Sequence, residues 1–283
     1  MKILKTCEEL VAWRGSLDIN VLVGFVPTMG AMHDGHLSLI LSSIKDCDLT
    51  VVSIFLNPKQ FGENEDLDSY PVDLDGDLDK ISNLGVAAVF VPSVSEIYSD
   101  GDAFTVKEEQ ISKMLEGKSR PHFFDGVLTV VSKLFNMVMP GNAYFGLKDA
   151  QQLVLIEKMV DSMKYSINIV RCKTIRESSG LAMSSRNKYL NKNDRNAAAI
   201  IYSALSHAKK LVDSGEMSPV VLKNYITETI LSEPGFSLDY VSVVDMGTFQ
   251  ECEKKIELNR PCLVSVAVFV AGVRLIDNLI VGN

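Results

Sequence analysis

The chain has 283 residues, of which 47% are hydrophobic and 23% are charged, and its formal net charge is −8. This length and composition exclude a disordered chain and are typical of a globular protein with one large or two modest domains. The acidic balance argues against a broad surface for nucleic acid or for an anionic membrane, because such surfaces need clustered Lys and Arg.

The N-terminal ten residues carry four charged side chains and lack the apolar core of a signal peptide. Five cysteines lie far apart in the sequence and form no CxxC pair, so buried, reduced thiols are favoured over a zinc or redox site. From both features we expect a cytoplasmic protein.

Short apolar runs recur through the first part of the chain, with helix-like stretches between them. The runs are Val21–Val26, Leu49–Leu56, Val86–Val91 and Ile167–Cys172. This alternation predicts an α/β fold, in which helices cover a parallel sheet. Ligands of such sheets bind beyond the carboxyl ends of the strands, so the residues that follow each run are the candidates for a site.

The pattern changes after Ser178. Helices are predicted over Lys192–Ser214 and Pro219–Ser232, and strands over Leu238–Val244 and Leu263–Val281. This change predicts a second, smaller α+β domain at the C-terminus. We place the boundary near Ile175, which gives domains of residues 1–175 and 176–283.

The apolar segment Cys262–Val281 has two interpretations, a membrane span or a pair of strands. Arg274, Asp277 and Asn278 interrupt it, and Val-rich halves flank the dipeptide Ala271-Gly272. Two paired strands therefore fit better than a membrane span, and we expect no membrane association.

The first motif, PTMGAMHDGH at 27–36, follows the first apolar run and leads into a helix. Gly30 and Gly35 let the backbone approach a ligand, and the helix N-terminus favours phosphate. His33 and His36 can reach one anion and stabilise the charge that develops when the α-phosphorus is attacked. For an isolated HxxH pair, helix capping is the better interpretation, and the spacing lacks the acidic residue of an HExxH zinc site.

Two further segments carry groups that suit a nucleotide. In GLAMSSRNKYL, Ser184, Ser185 and Arg186 suit a departing pyrophosphate, although the stretch alone is typical of a solvated turn. In YFGLKDAQQL, Lys148 can neutralise phosphate and Asp149 can help to hold Mg²⁺, or the two can be a simple ion pair at a helix start.

Amide side chains follow two of the predicted strands. Asn57 and Gln60 come after the second apolar run, while Gln151 and Gln152 open the helix after Lys148 and Asp149. Such amides can bind the hydroxyl and carboxylate groups of a small substrate.

Five segments together, PTMGAMHDGH, IFLNPKQF, GVLTVVSKLFN, FGLKDAQQL and GLAMSSRNKYL, resemble in sequence and in order the pantothenate synthetase family, also called pantoate–beta-alanine ligases. The HxGH element alone would indicate only the wider nucleotidyltransferase superfamily. The resemblance implies a Rossmann-like ATP domain, a smaller C-terminal domain that closes over it, and a homodimer. The implied reaction joins pantoate to beta-alanine with ATP and Mg²⁺, through pantoyl adenylate, and releases pyrophosphate and then AMP.

The resemblance also implies roles for residues of this chain. Those implied to bind ATP are Met29, Gly30, Ala31, Met32, His33, Asp34, Gly35, His36, Gly146, Leu147, Lys148, Asp149, Ile175, Met183, Ser184, Ser185 and Arg186. Those implied to act in catalysis are His33, His36, Lys148, Ser184, Ser185 and Arg186. Those implied to hold substrate are Asn57, Gln60, Tyr70, Arg120 and Gln152, and Asp149 is the implied metal ligand.

The chain departs from the family pattern at a few positions. Val72 stands where arginine is common, and Pro121-His122-Phe123-Phe124 replaces the usual order after Arg120. Two rival functions stay open at this point. One is an adenylyltransferase that keeps AMP in its product, and the other is a non-catalytic RNA-binding module, which the net charge disfavours.

Overall fold

The structure is a computed structural model that describes residues 1–63, 65–257 and 259–282. The chain divides into two units. The first unit contains Met1–Leu147 and Gln151–Lys173, and the second contains Lys148–Ala150 together with the residues from Thr174 onward.

A parallel sheet forms the centre of the first unit. In the described part of the chain its strands are β1 (Lys2–Leu4), β2 (Val23–Thr28), β3 (Leu49–Ile54), β4 (Ala88–Phe90), β5 (Asn142–Gly146) and β6 (Asn168–Cys172). They lie in the order β1-β4-β3-β2-β5-β6, and every pair is parallel. The predicted α/β architecture is confirmed, and β1 is a strand that the sequence pattern did not predict.

Helices connect these strands, as parallel pairing requires. They are α1 (Cys7–Gly15), α2 (Asp34–Asp46), α3 (Leu74–Ser82), α4 (Val94–Ile97), α5 (Leu115–Ser119), α6 (Phe123–Val138) and α7 (Ala150–Ser162). The central strands bury residues on both faces, and α6 is apolar enough to be buried along most of its length. The core of the unit therefore lies on the two faces of β2, β3 and β5.

The strand order reverses at β2. From β2 the chain moves outward to β3 and β4, and then returns to place β5 on the other side of β2. Strand β2 pairs with β3 through Thr28 but with β5 only at Gly24 and Phe25. The carboxyl ends of β2 and β5 therefore separate, and such a switch point is where ligands bind in open α/β sheets.

The second unit is built from α8 (Lys192–Ala197), α9 (Ile200–Asp213), α10 (Pro219–Leu231) and an antiparallel sheet of β7 (Phe236–Asp245), β8 (Cys262–Val270) and β9 (Val273–Val281). The helix predicted over Lys192–Ser214 is thus two helices. The smaller α+β architecture is confirmed, and Ala271 and Gly272 join β8 to β9 as predicted. Among the described helices, none has the length and apolar character of a membrane span.

Candidate active site

The loop between β2 and α2 is held in an uncommon backbone conformation. Gly30 and Ala31 both have positive φ, at 85° and 52°. Thr28 supports the turn, because its hydroxyl donates to the Ser53 carbonyl at 2.8 Å and accepts the Gly30 N–H at 3.2 Å. A Cβ on Gly30 would lie 3.1 Å from Asp77, so this position suits glycine for both conformation and space.

The two histidines of the motif cap α2 by bonding to backbone N–H groups of the motif. His33 is the N-cap residue, and its Nδ1 accepts the Gly35 N–H at 3.1 Å. His36 Nδ1 accepts the His33 N–H at 3.4 Å, and the two ring centroids are 4.2 Å apart. Because Nδ1 accepts in each ring, the neutral imidazoles carry their proton on Nε2. The capping and anion-binding interpretations are therefore compatible: Nδ1 caps the helix, and Nε2–H is a donor.

A buried carboxylate lies behind this loop. Asp77 on α3 is 1% exposed, and its Oδ1 accepts the Met32 N–H at 2.7 Å. Lys80 Nζ lies 3.3 Å from the same oxygen and donates to the Met32 carbonyl at 3.1 Å. Sequence reasoning missed this support, because an aspartate in the polar helix 74–82 carries no signal of a partner in a distant loop.

The amides that follow β3 are held in a network. Asn57 caps a short 3₁₀ helix, Pro58–Gln60, and its Nδ2 donates to Gln60 Oε1 at 2.8 Å. Arg120 donates to the Gln60 carbonyl at 3.1 Å and is paired with Glu65 at 2.7 Å and 2.5 Å. The structure brings these proposed substrate residues together at the carboxyl end of β3.

Two other proposed substrate residues have different surroundings. Tyr70 is buried and its ring packs edge-on against Phe61, with centroids 5.8 Å apart. Gln152 is half-buried near the start of α7. Its neighbour Gln151 is buried and serves the fold, because its Nε2 donates to the Ile111 and Met114 carbonyls and its Oε1 accepts the Glu116 N–H. These partners occupy the Gln151 amide, and Gln152 stays the predicted substrate contact of the two.

Gly146 ends β5 at the switch point, next to Leu147 in the first unit. An added Cβ on Gly146 would meet nothing within 4 Å, so the backbone there is open to close approach by a ligand. In the second unit, Lys148 Nζ lies 3.7 Å from Asp149 Oδ1, and the Lys148 carbonyl accepts Asn278 Nδ2 at 2.8 Å.

The serine-arginine loop of the second unit begins a 3₁₀ helix, Ser185–Tyr189. Ser184 is its N-cap and accepts the Arg186 N–H at 3.3 Å, while Ser185 is buried. The Met183 N–H donates to the Ile175 carbonyl at 3.0 Å, so the two ends of the loop 175–183 are joined. Arg176 lies within this loop and anchors it. Its guanidinium makes a bidentate ion pair with the Asp277 carboxylate at 2.6 Å and 2.9 Å.

The described residues offer few ligands to a metal ion. No group of three or more His, Cys, Asp or Glu side chains suitable for a metal occurs among the described residues. Asp149, with 47% of its side chain exposed, offers one carboxylate. One carboxylate is enough for Mg²⁺, which usually takes one or two carboxylates together with waters and substrate phosphates.

The chain is similar to known ligases along its whole length. The sequence profile of the family described as pantoate-beta-alanine ligase matches residues 2–280. A pantothenate synthetase from Thermosipho africanus is 45% identical over 282 residues, which are 99% of this chain and 100% of that protein.

Solved structures give the same result. The crystal structure of a pantothenate synthetase from Thermus thermophilus superposes with a TM-score of 0.92 at 38% identity and covers 99% of each chain. A pantoate-beta-alanine ligase from Francisella tularensis, solved in complex with beta-gamma ATP and beta-alanine, gives a TM-score of 0.81 at 37% identity, covering 99% of this chain and 97% of that one.

Proposed function

We infer the activity of this chain from one premise: the chain belongs to the pantoate-beta-alanine ligase family. It is an enzyme that uses ATP to join pantoate to beta-alanine. We propose that the reaction runs through pantoyl adenylate, releasing pyrophosphate in the first step and AMP in the second.

In the first step, a carboxylate oxygen of pantoate attacks the α-phosphorus of ATP, and the bond from that phosphorus to the bridging oxygen breaks. In the second step, the amine of beta-alanine attacks the acyl carbon, the bond to the AMP oxygen breaks, and the amine nitrogen loses a proton. No covalent bond to the protein is needed. Catalysis then consists of orientation and of stabilising charge where it develops.

The observation that carries the proposal is the arrangement of the two histidines. Their rings lie at the N-terminus of α2, where the helix dipole favours anions, and both carry a donor at Nε2. We assign His33 and His36 to the ATP phosphates, together with the backbone of Met29–Gly35. The Nε2–H groups stabilise the charge that grows on the phosphates as the α-phosphorus is attacked.

We assign the groups of the second unit to the leaving pyrophosphate. Lys148 supplies a point charge, Arg186 a planar fork, and Ser184 and Ser185 hydroxyl donors. The Ile175 backbone, Met183, Gly146 and Leu147 complete the contacts to ATP.

We assign pantoate to the network that follows β3, with Gln60 and Gln152 as its amide donors and Asn57, Tyr70 and Arg120 around them. Asp149 would hold Mg²⁺ beside the ATP phosphates, and the cation would neutralise part of the phosphate charge. In this proposal the chain works as a homodimer in the cytoplasm. Five free thiols fit a reducing compartment.

Pantoate-dependent exchange of labelled pyrophosphate into ATP tests the first step. We expect exchange with pantoate in the absence of beta-alanine, and none with small acids that lack its hydroxyl groups. Addition of beta-alanine should yield free AMP in a one-to-one ratio with pantothenate. A product that retains AMP, or exchange without pantoate, would contradict the proposal.

A further inference from the structure

Tyr98 lies behind the proposed pantoate site and contacts it through one hydrogen bond. It follows α4, and its hydroxyl donates to Asn57 Oδ1 at 2.8 Å. Burial raises the pKa of Tyr98, so this hydroxyl keeps its proton at neutral pH and acts as the donor. The Asn57 side chain is 1% exposed, and its amide therefore depends on protein partners.

The partners of Asn57 fix which end of its amide is oxygen. Oδ1 accepts the Lys59 N–H at 3.3 Å in addition to the Tyr98 hydroxyl, and Nδ2 donates to the Gly126 carbonyl at 3.1 Å. A flipped amide would place two donors together at Lys59 and two acceptors together at Gly126. The two backbone groups set which end of the Asn57 amide is oxygen, and the Tyr98 hydroxyl, the shorter of the two contacts to Oδ1, holds the amide in that position.

The orientation of Asn57 determines that of Gln60. The second proton of Asn57 Nδ2 points to Gln60, so the atom of Gln60 that it meets at 2.8 Å must be the acceptor Oε1. The other end of the Gln60 amide is then Nε2, a donor. A substrate atom held by Gln60 must accept a hydrogen bond, as a carboxylate or hydroxyl oxygen does.

The Tyr98 ring is itself held in place by two cations. Lys59 Nζ lies 4.1 Å from the ring centroid and Lys133 Nζ lies 5.4 Å from it. Lys133 also donates to the Ile97 carbonyl at 3.0 Å and is paired with Asp102, which ties it to the backbone just before Tyr98. The hydroxyl therefore meets Asn57 in one fixed position.

We propose that Tyr98 is a positioning residue for pantoate: through Asn57 it holds the Gln60 amide so that an N–H donor faces the substrate. The inference rests on the proposed function, because it takes Gln60 as a pantoate contact. Tyr98 itself touches no reacting atom in this proposal, so its effect should fall on pantoate binding and leave ATP binding unchanged.

A double-mutant cycle tests the proposal, with Tyr98→Phe and Gln60→Ala made singly and together. The measured quantities are the pantoate KM, the ATP KM and kcat in pyrophosphate exchange, with the pantoate Kd by calorimetry for weak variants. Tyr165→Phe is the matched control, because its hydroxyl bonds to Ser132 at 2.9 Å in the same unit but outside the network.

We expect Tyr98→Phe to raise the pantoate KM about 3- to 10-fold, as for the loss of one neutral hydrogen bond, with little change in the ATP KM or in kcat. On the Gln60→Ala background, the same substitution should add almost nothing. Tyr165→Phe should leave all three quantities near the wild-type values. Equal effects of Tyr98→Phe on both backgrounds, or no effect on pantoate, would overturn the proposal.

Failure of the proposed function gives a different result, namely a wild-type protein whose exchange does not depend on pantoate, and this would overturn both proposals together. If Tyr98→Phe does not fold, Lys59→Met replaces it, since Lys59 is exposed and the change removes the cation over the ring while keeping the Lys59 N–H that donates to Asn57. A selective rise in the pantoate KM of about 2-fold is then expected, in line with the small energy of one cation–π contact at an exposed site. An unchanged KM would refute the role of Tyr98.

Discussion

Asp77→Asn is the substitution that isolates the support of the loop between β2 and α2. The change keeps the size and shape of the side chain but removes the charge that faces Met32 and Lys80. An amide can still accept the Met32 N–H through its oxygen. The substitution therefore removes the negative charge that strengthens the Met32 hydrogen bond and that pairs with Lys80.

The expected loss in the free energy of unfolding follows from the buried hydrogen bond to Met32. A hydrogen bond to a charged group contributes about 1.5–3 kcal/mol and a neutral one about 0.5–1.5 kcal/mol, so the Met32 bond weakens by about 1–1.5 kcal/mol. The ion pair adds little, because the Lys80 side chain is 37% exposed and regains water. We therefore expect Asp77→Asn to lower the free energy of unfolding by about 1–2 kcal/mol. Since the loop carries His33, pyrophosphate exchange should also slow by about 10-fold or more.

Asp161→Asn is the control for this prediction. Asp161 and Lys164 form an ion pair with the same spacing along a helix end, at 3.4 Å, but 88% of the Asp161 side chain is exposed. Removing an exposed partner of this kind should change the free energy of unfolding by less than about 0.5 kcal/mol. Urea unfolding and exchange rates of both variants give the comparison. If Asp77→Asn matched Asp161→Asn in both measurements, the assigned role of the buried carboxylate would be refuted.

Three further predictions concern His36, the packing of α6 and the half-buried thiol of Cys252. His36→Ala should slow pyrophosphate exchange by about 10²- to 10³-fold and leave the circular dichroism spectrum unchanged; near-normal exchange would contradict its assignment to the phosphates. Gly126→Ala would place a Cβ 2.0 Å from the Lys59 carbonyl oxygen. We therefore expect urea unfolding to show a free energy of unfolding lower by about 1–3 kcal/mol, together with weaker pantoate binding. Gly15→Ala is the control and should be tolerated, because a Cβ there would meet nothing within 4 Å. Burial raises the pKa of Cys252 to about 12, so the folded state retains this proton where the unfolded state loses it. The free energy of unfolding should then fall as the pH rises from the ordinary value of 9.0 toward about 12, and Cys252→Ser should reduce that dependence.

Sequence periodicity was sufficient for most of the fold, since apolar runs of strand length alternate with helices in the first unit. It was insufficient where pairing partners decide the structure. Strand β1 has only three residues, two of them exposed, and is defined by its pairing with β4. Strand β2 continues through Pro27 to Thr28 because β3 pairs with it there, although proline normally ends such a run.

The candidate site was predictable to the extent that its residues follow strands in short motifs. His33, His36, Gln60 and the serine-arginine loop were proposed in this way. The capping role of the histidine ring nitrogens was one of the interpretations that the sequence left open. The supporting residues were not predictable. Asp77 and Tyr98 act on backbone and amide groups 41 to 45 positions away in the chain, and a single sequence does not report such pairs.

The segment Lys148–Ala150 gives the chain an unusual connectivity. It belongs to the second unit, although the residues on both sides of it belong to the first, so the backbone passes between the units three times. Asn278 on β9 holds this segment through the Lys148 carbonyl. A fragment that begins at Thr174 would lack the segment and lose that bond, while the complementary fragment would keep Lys148 without the strand that fixes it. The two units are therefore not separable by a single cleavage, and the enzyme has to be dissected by substitution instead of truncation.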